Sequence, residues 1–463
     1  MRILLINPPQ PTTMETFSTL GIVAPPLGLA YLAGVLEREG YSVSILDAPA
    51  LNASYRQIRS EMERIKPDVV GLTSTTATIN QAVEVSKIAE EVCPDASVVI
   101  GGPHVSFTAE ETLLENPSID IVCIGEGENT LFEFVQTQED GGNLAHVKGI
   151  AYRRKDGGVV TNSRRELIED LDDLPFPARH LLPVDRYSVL GKFFPATIMT
   201  SRGCPFNCIF CSSSLLFGRR FRARSPKNVV GEVESVYDDF RCKYVEFLDD
   251  TFTLNSKRVN EICQELRDRN LGVQWVCSSR VDTITRELMQ RMKDAGCIMI
   301  YFGVESGDQS IIEMMKKGIR IEQSVKAIRW AKEVGIKTVG SFIIGIPGET
   351  KQAIKQTIRF AKKLNPDFAQ FSIATPYPGT ELYDAARKHN WLKIRGWSEY
   401  TVLRPIIETV DFSKNELSHL LTEAYLKFYL RPEKLIFSIK EGYFQKVARG
   451  FASYLWRRLR DMF

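Results

Sequence analysis

Short apolar runs alternate with amphipathic stretches along most of this chain, and few folds accept that pattern. Apolar runs at Ile3–Ile6, Val43–Leu46, Val69–Leu72, Val98–Ile100 and Ile121–Ile124 predict buried strands. Helical spacing falls between them, near Leu27–Glu39, Tyr55–Ile65, Ile79–Val92, Ala109–Leu114 and Asn129–Gln136. Strands that alternate with helices give a parallel sheet covered on both faces. Residues 1–145 therefore predict an α/β domain, doubly wound and Rossmann-like, of about five strands. Ligands of such sheets sit at the carboxyl ends of the strands. Those ends carry Asn7-Pro8-Pro9, Thr73-Ser74-Thr75-Thr76, Gly101-Gly102-Pro103-His104 and Gly125-Glu126-Gly127-Glu128. Glycines and small hydroxyls there let backbone approach a ligand closely.

The alternation pauses over residues 146–194, which read as a connector. Val147–Arg153 and Gly158–Thr161 are spaced to pair as a hairpin around Lys155-Asp156-Gly157-Gly158. Leu174-Pro175-Phe176-Pro177-Ala178-Arg179 excludes a helix and reads as an ordered crossing between domains. From residue 195 to 390 the alternation resumes, with strands expected at Ala196–Thr200, Tyr244–Leu248, Val273–Cys277, Ile298–Gly303, Thr338–Ile344 and Phe368–Ile373. Six βα units predict a partial (βα)6 barrel of the TIM type. Chemistry in such barrels gathers on the loops at the carboxyl ends of the strands. Residues 391–463 form a helical C-terminal region, with a helix expected over Lys414–Tyr429 and a break at Arg431-Pro432.

Composition removes several classes of function. The chain has 463 residues, 44% hydrophobic and 25% charged, so it is long enough for two or three ordered domains. Lys+Arg is 59 against 57 Asp+Glu, a net charge of +2 that gives no general pull toward nucleic acid. No apolar run reaches the ~18 residues of a spanning helix. The opening Met-Arg-Ile-Leu-Leu-Ile-Asn-Pro-Pro has too short an apolar run for a signal peptide. Nine cysteines without a secretory signal predict a reducing cytoplasm and thiols that serve as core or as metal ligands.

Three of those cysteines stand together: Cys204-Pro205-Phe206-Asn207-Cys208-Ile209-Phe210-Cys211, in the loop after the first barrel strand. Thiolates are the usual ligands of iron–sulfur clusters. Three on one tight loop hold three irons of a [4Fe-4S] cube and leave the fourth open. Zinc normally asks for four ligands, often as paired C-x2-C units. Cys93, Cys123, Cys242, Cys263, Cys277 and Cys297 are scattered singly and supply no second pair. A thioredoxin-like redox motif wants one pair, not three.

The spacing Cys204-x3-Cys208-x2-Cys211, with Phe210 before the last cysteine, resembles the radical S-adenosylmethionine (radical SAM) superfamily over roughly residues 195–390. The resemblance implies that the open iron chelates S-adenosylmethionine. One-electron cleavage then yields a 5′-deoxyadenosyl radical that removes a substrate hydrogen. It also implies cofactor-contacting positions at the strand ends. Asp249 or Asp250 would accept from the ammonium, in place of the Gly-Gly-Glu form many members carry. Ser278 and Arg280 would meet the carboxylate, Glu305 the ribose, and Gly345 in Gly345-Ile346-Pro347-Gly348-Glu349 the adenine. Each also has a structural reading as a helix cap or ion pair.

The N-terminal half has a resemblance of its own. Asn7-Pro8-Pro9, Pro25-Pro26-Leu27-Gly28-Leu29, Gly101-Gly102-Pro103-His104 and Gly125-Glu126-Gly127-Glu128 resemble the cobalamin-binding domain fused to one radical SAM class. That implies corrin contacts from Asn7, Pro8, Thr73, Ser74, Thr75, Gly101, Gly102, His104, Gly125, Glu126, Gly127 and Glu128. The Asp-x-His-x-x-Gly motif of many cobalamin proteins is absent. His104 follows Gly102-Pro103 and does not fit it.

Together the resemblances imply a cobalamin-dependent radical SAM C-methyltransferase that uses methylcobalamin at an unactivated carbon. The alternative is a cyclase or rearrangement enzyme with the same cofactors and no methyl transfer. Methylthio transfer usually needs a second cluster, against which the scattered cysteines argue. A non-catalytic cofactor carrier sits poorly with the intact triad. The implied partners are an electron donor such as flavodoxin or ferredoxin and a small-molecule, lipid or peptide substrate. From Arg431 to Phe463 there are eight Lys/Arg against three acids, with dense aromatics. Phe451, Tyr454 and Leu455, flanked by Arg457 and Arg458, permit a peripheral membrane face. The same segment reads alternatively as a helical cap on the barrel or a grip on an acidic macromolecule.

Overall fold

The computed structural model describes residues 1–11, 24–154, 156–189, 192–193 and 196–440. Its first sheet begins with β1 (Arg2–Asn7), β2 (Ser42–Asp47), β3 (Val69–Thr73), β4 (Ser97–Gly101) and β5 (Ile121–Cys123), all parallel. Ile3 to Ile6 are buried on both faces of β1, as a strand between two helical layers requires. Helices Leu27–Arg38 and Glu128–Glu139 cover one face, and Tyr55–Ile65 and Ile79–Val92 the other. The helix Tyr55–Ile65 starts where the sequence says it should, because Ser54 and Gln57 form a reciprocal capping box.

The sheet extends further than the sequence pattern indicates. The hairpin assigned to the connector, β6 (Ile150–Arg153) and β7 (Val159–Thr161), adds to the edge of β5 as two antiparallel strands. The order is β2-β1-β3-β4-β5-β6-β7, so seven strands replace the five expected and the sheet runs past residue 145 to Thr161. The physical reason is edge pairing. The parallel β5 leaves a row of free amides and carbonyls that the hairpin satisfies. The chain order reverses between β1 and β3, and the loops after those strands, Asn7-Pro8 and Thr73–Thr76, flank that point. Open α/β sheets take their ligands there.

Residues 162–189 cross to the second domain through short turns, as the proline-rich segment suggests. Ala178 N–H donates to Ala30 O at 2.9 Å, and the Arg224 guanidinium lies 5.5 Å over the Phe176 ring. The short β8 (Ser188–Val189) and β9 (Lys192–Phe193) pair antiparallel.

The second sheet is wholly parallel: β10 (Ala196–Ile198), β13 (Tyr244–Phe247), β14 (Gln274–Arg280), β15 (Cys297–Glu305), β16 (Lys337–Ile344) and β17 (Phe368–Ile373), in sequence order. Between β10 and β13 a two-stranded ribbon, β11 (Ser201–Arg202) and β12 (Arg222–Ala223), pinches the cysteine loop at both ends. Val245, Phe247, Trp275, Cys277, Phe302 and Phe371 alternate onto the face packed by helices. Their sequence neighbours therefore face the lumen. The sheet is an open six-stranded arc. The helix Lys414–Tyr429, with the bounds its sequence predicts, covers the β17 edge. The Tyr425 and Tyr429 hydroxyls donate to the carbonyls of Phe371 and Ala369 at 3.0 and 2.8 Å and accept from their amides. Arg431-Pro432 breaks the helix, and Pro432 opens a new one, Pro432–Lys440. Among the described residues no helix is long and apolar enough to cross a membrane. The basic-aromatic face around Phe451, Tyr454 and Leu455 lies outside the described residues.

Candidate active site

The cysteine loop is built to be rigid. Gly203 has φ +85°, and a Cβ there would lie 2.2 Å from Arg220 O, so only glycine lets the chain turn before Cys204. Cys204 N–H donates to Gly218 O, Cys211 N–H to Cys208 O and Ile209 N–H to Met315 O. Phe210 packs against a cluster of Ile311, Met315, Ile346, Ala374 and Leu382. Its ring thereby anchors the loop to the barrel.

The three thiols suit a polynuclear cluster. Among the described residues Cys204, Cys208 and Cys211 donate to no carbonyl, and none of the three is in a disulfide. The backbone N–H groups of Phe206 and Ser213 point instead at the sulfurs of Cys204 and Cys211. Burial raises all three thiol pKa values, Cys211 up to about 11. Arg280 and Lys317 act on Cys204 and Cys208 in the opposite sense, favouring thiolate. Among the described residues no three His, Cys, Asp or Glu gather about one point, as a mononuclear ion requires. Cluster ligands each take a separate iron and need no such convergence.

The strand-end residues surround this loop, with different commitments. Asp249 is buried and saturated. It accepts from the Thr200 and Ser201 amides at 2.7 and 3.2 Å and from their hydroxyls at 2.5 and 2.6 Å. It locks the start of the cysteine loop to β13 and has no lone pair left for a ligand. Asp250 is exposed, and among the described residues its carboxylate accepts only from the Ser213 hydroxyl, at 2.5 Å. Crowding by neighbouring protein raises its pKa, and Asp249 adds to that. Arg280 lies 3.4 Å over the Phe206 ring, inside the cysteine loop. Its Nε and Nη2 pair with Asp282 at 2.9 and 2.8 Å, and Nη2 also reaches Lys317 O. Its Nη1 makes no hydrogen bond to protein among the described residues. Ser278 faces the lumen two residues before Arg280.

Glu305 is a non-glycine residue at φ +64°, just past a register shift between β15 and β16. Such backbone costs about 1–3 kcal/mol and persists where the surroundings enforce it. Lys317, a residue the sequence reading missed, supplies the enforcement with a 2.6 Å ion pair to Glu305 Oε1. Gly345 has φ +81°, and its N–H, with that of Ile346, donates to Glu349 Oε2 at 2.7 and 3.3 Å. Burial raises the Glu349 pKa to about 8.

At the first sheet's carboxyl edge, Asn7 Nδ2 donates to Asp47 Oδ1 at 2.8 Å beside buried Pro8. Gly102 has φ +109° with its Cα against Ser74 O, and the Ser74 N–H donates to Gly101 O. Thr73 is half-buried, and Thr75 is exposed with its hydroxyl against Thr78. Among the described residues no atom lies within 4 Å of a Cβ placed on Gly125, so the loop after β5 is open at that point. His104 is buried, 3.3 Å from the Thr76 hydroxyl and edge-on to Trp397 at 4.7 Å. Burial lowers its pKa to about 4, so the imidazole is neutral at physiological pH.

Glu126 and Glu128 differ from the other residues of that edge. Both are buried and both are engaged across the domain boundary, by Arg202 and Arg222 of the ribbon. Gly127 lies against Leu32. Phe107, after β4, packs onto Gly379, after β17. The carboxyl edges of the two sheets thus face each other. Nothing in the local sequence marks Arg202 or Arg222, because their partners lie more than 70 residues away.

Comparisons with known proteins bear on both halves. The radical SAM superfamily model matches residues 198–361, and the B12 binding domain model matches residues 16–135. An uncharacterized methyltransferase of Pyrococcus horikoshii is 44% identical over 441 residues, 95% of each chain. The anaerobic magnesium-protoporphyrin IX monomethyl ester cyclase of Rubrivivax gelatinosus is 34% identical, over 88% of this chain and 74% of its own. The structure of the cobalamin-dependent S-adenosylmethionine radical enzyme OxsB, with aqua-cobalamin and S-adenosylmethionine bound, superposes with a TM-score of 0.77. It is 20% identical and covers 97% of this chain and 72% of that one.

Proposed function

Because this chain belongs to the radical SAM superfamily, in the branch with an N-terminal B12 binding domain, we propose that it is a C-methyltransferase acting on an unactivated carbon. The observation that carries the reading is the facing of the two carboxyl edges, with the cysteine triad on one and the open glycine-hydroxyl edge on the other. When bound, the [4Fe-4S] cluster with S-adenosylmethionine supplies a carbon radical, and cobalamin supplies the methyl group.

In this reading Cys204, Cys208 and Cys211 hold three irons. Asp250, the strand-end carboxylate with acceptor capacity to spare, takes the ammonium of S-adenosylmethionine. The Nη1 of Arg280 takes its carboxylate, with Ser278 beside it. Glu305, held by Lys317, receives the ribose, and the Gly345 loop lies along the adenine. Asn7, Pro8, Thr73, Ser74, Thr75, Gly101, Gly102 and Gly125 line the corrin side, with His104 as a neutral contact. Glu126 and Glu128 stand behind that surface rather than on it.

The substrate enters the barrel lumen. Glu246, Ser278, Tyr301, Ser341, Gln370 and Ser372 face it and make no side-chain hydrogen bond to protein among the described residues. Burial raises the Glu246 pKa, and burial together with Glu246 lifts Tyr301 to about 12. A hydrocarbon would strand these groups without water or partner. A substrate that bears hydroxyl, amine or amide groups satisfies them. The chemistry also requires a one-electron donor such as flavodoxin or ferredoxin.

The test is product analysis under anaerobic conditions. Methyl transfer yields S-adenosylhomocysteine as well as 5′-deoxyadenosine. The likeness to the Rubrivivax gelatinosus cyclase favours the second reading, in which 5′-deoxyadenosine forms alone.

A further inference from the structure

Glu126 spends both carboxylate oxygens on protein. Its Oε1 accepts from Arg202 Nη1 at 3.1 Å and Arg222 Nη2 at 2.9 Å. Its Oε2 accepts from Arg222 Nη1 at 3.1 Å and the Ile168 amide at 2.8 Å. Glu128 Oε1 accepts from Arg202 Nη2 at 2.5 Å. The four side chains are each at most 7% exposed. Two cations and two anions are thereby neutralised inside the protein, away from solvent.

These bonds join three separate pieces of chain. Glu126 and Glu128 leave the first sheet after β5. Ile168 lies in the crossing segment, and Arg222 Nη1 also donates to its carbonyl at 2.5 Å. Arg202 and Arg222 are the paired residues of the β11–β12 ribbon that closes the cysteine loop. Arg202 stands two residues before Cys204, and Arg222 Nη2 donates to Phe217 O inside the loop at 2.8 Å.

Desolvating four charges is costly, and apolar side chains of similar volume would often hold two domains together at least as well. What the charges add is direction. Each guanidinium fixes a carboxylate in angle as well as in distance. We infer that Glu126 and Glu128 are positioning residues that set where the cysteine loop, and the cluster it holds, stands relative to the corrin side of the first sheet. They act through Arg202 and Arg222 and do not touch either cofactor. The inference rests on the two-cofactor reading but not on methyl transfer.

The test uses the full-length holoenzyme and its E126Q, E128Q and R222K variants. Hydrogen exchange is followed over residues 201–224, together with cobalamin and iron content and the electron paramagnetic resonance spectrum of the reduced cluster. The expected result is retained cobalamin and iron, ribbon amides exchanging about tenfold faster or more, and a broadened cluster spectrum. R222K keeps the charge and loses the fork, so it answers the question even if E126Q fails to fold. Unchanged ribbon exchange in R222K and in whichever glutamine variants fold overturns the inference. So does loss of cobalamin with the ribbon unchanged, which would make the carboxylates cofactor contacts. Exchange needs no turnover, so absence of S-adenosylhomocysteine would defeat the methyltransferase reading alone.

Discussion

Lys317 donates a 2.6 Å hydrogen bond to Glu305 across twelve residues of chain, and both side chains are buried beside the cysteine loop. Burial alone would lower the lysine pKa. Glu305, with Cys208, more than offsets that and holds its pKa above the ordinary value. Replacing Lys317 with methionine leaves a buried carboxylate without its cation. The expected loss is about 3–5 kcal/mol of stability, read as a fall in the urea midpoint of the full chain. An unchanged midpoint would mean that water reaches Glu305.

Asp249 and Asp250 are adjacent in sequence and are expected to fail differently. Asp249→Asn weakens a four-donor site that fixes the loop start, at a cost of about 1–3 kcal/mol. Its iron content should fall with its stability. Asp250→Asn removes only one protein partner and should leave the melting temperature within a few degrees. It should instead raise the dissociation constant for S-adenosylmethionine about tenfold or more, by equilibrium binding. Equal effects on both measurements would refute the division of labour.

Much of this was legible in the sequence, and the exceptions share a cause. Helices Tyr55–Ile65 and Lys414–Tyr429 carry capping boxes and apolar periodicity, and Ile79–Val92 carries the periodicity alone, and the bounds of all three agree with expectation. The β6–β7 hairpin was visible as a hairpin, but its docking on β5 depends on an edge that no local pattern encodes. The cysteine spacing is a local signal. The pairing of Glu126 with Arg222, 96 residues apart, is not. The glutamates therefore read as residues of the ligand-binding edge, although their carboxylates turn toward the other domain. Asp249 and Asp250 look equivalent as letters and separate only when the donors around each are counted.

Glu349 should make stability depend on pH. Burial raises its folded pKa to about 8 from the ordinary 4.5, against the two amides it accepts from. The fold thus favours its protonated form. Its contribution is fully present below pH 4.5, declines as pH rises, and is lost once pH passes about 8. Glu349→Gln imitates the protonated acid and should remove this slope. The stability of wild type minus variant, measured from pH 5 to 9 by thermal unfolding, is expected to fall over that range. A flat difference would mean that Glu349 is ionised throughout.

Gly203→Ala is expected to disable the cysteine loop. The new methyl group meets Arg220 O at a backbone angle that alanine rarely adopts. Iron bound per chain should drop sharply, while the first domain, which contributes no atom to the clash, keeps its cobalamin. Full iron occupancy in this variant would show that the ribbon can shift to accept it.

The most direct measurement is cobalamin and iron content of the full chain, purified and reconstituted without oxygen and with cobalamin supplied. The account predicts about four irons and about one cobalamin per chain, with iron lost and cobalamin kept in Cys208→Ala. Full iron with no cobalamin would contradict it and leave the first sheet as a site for something else.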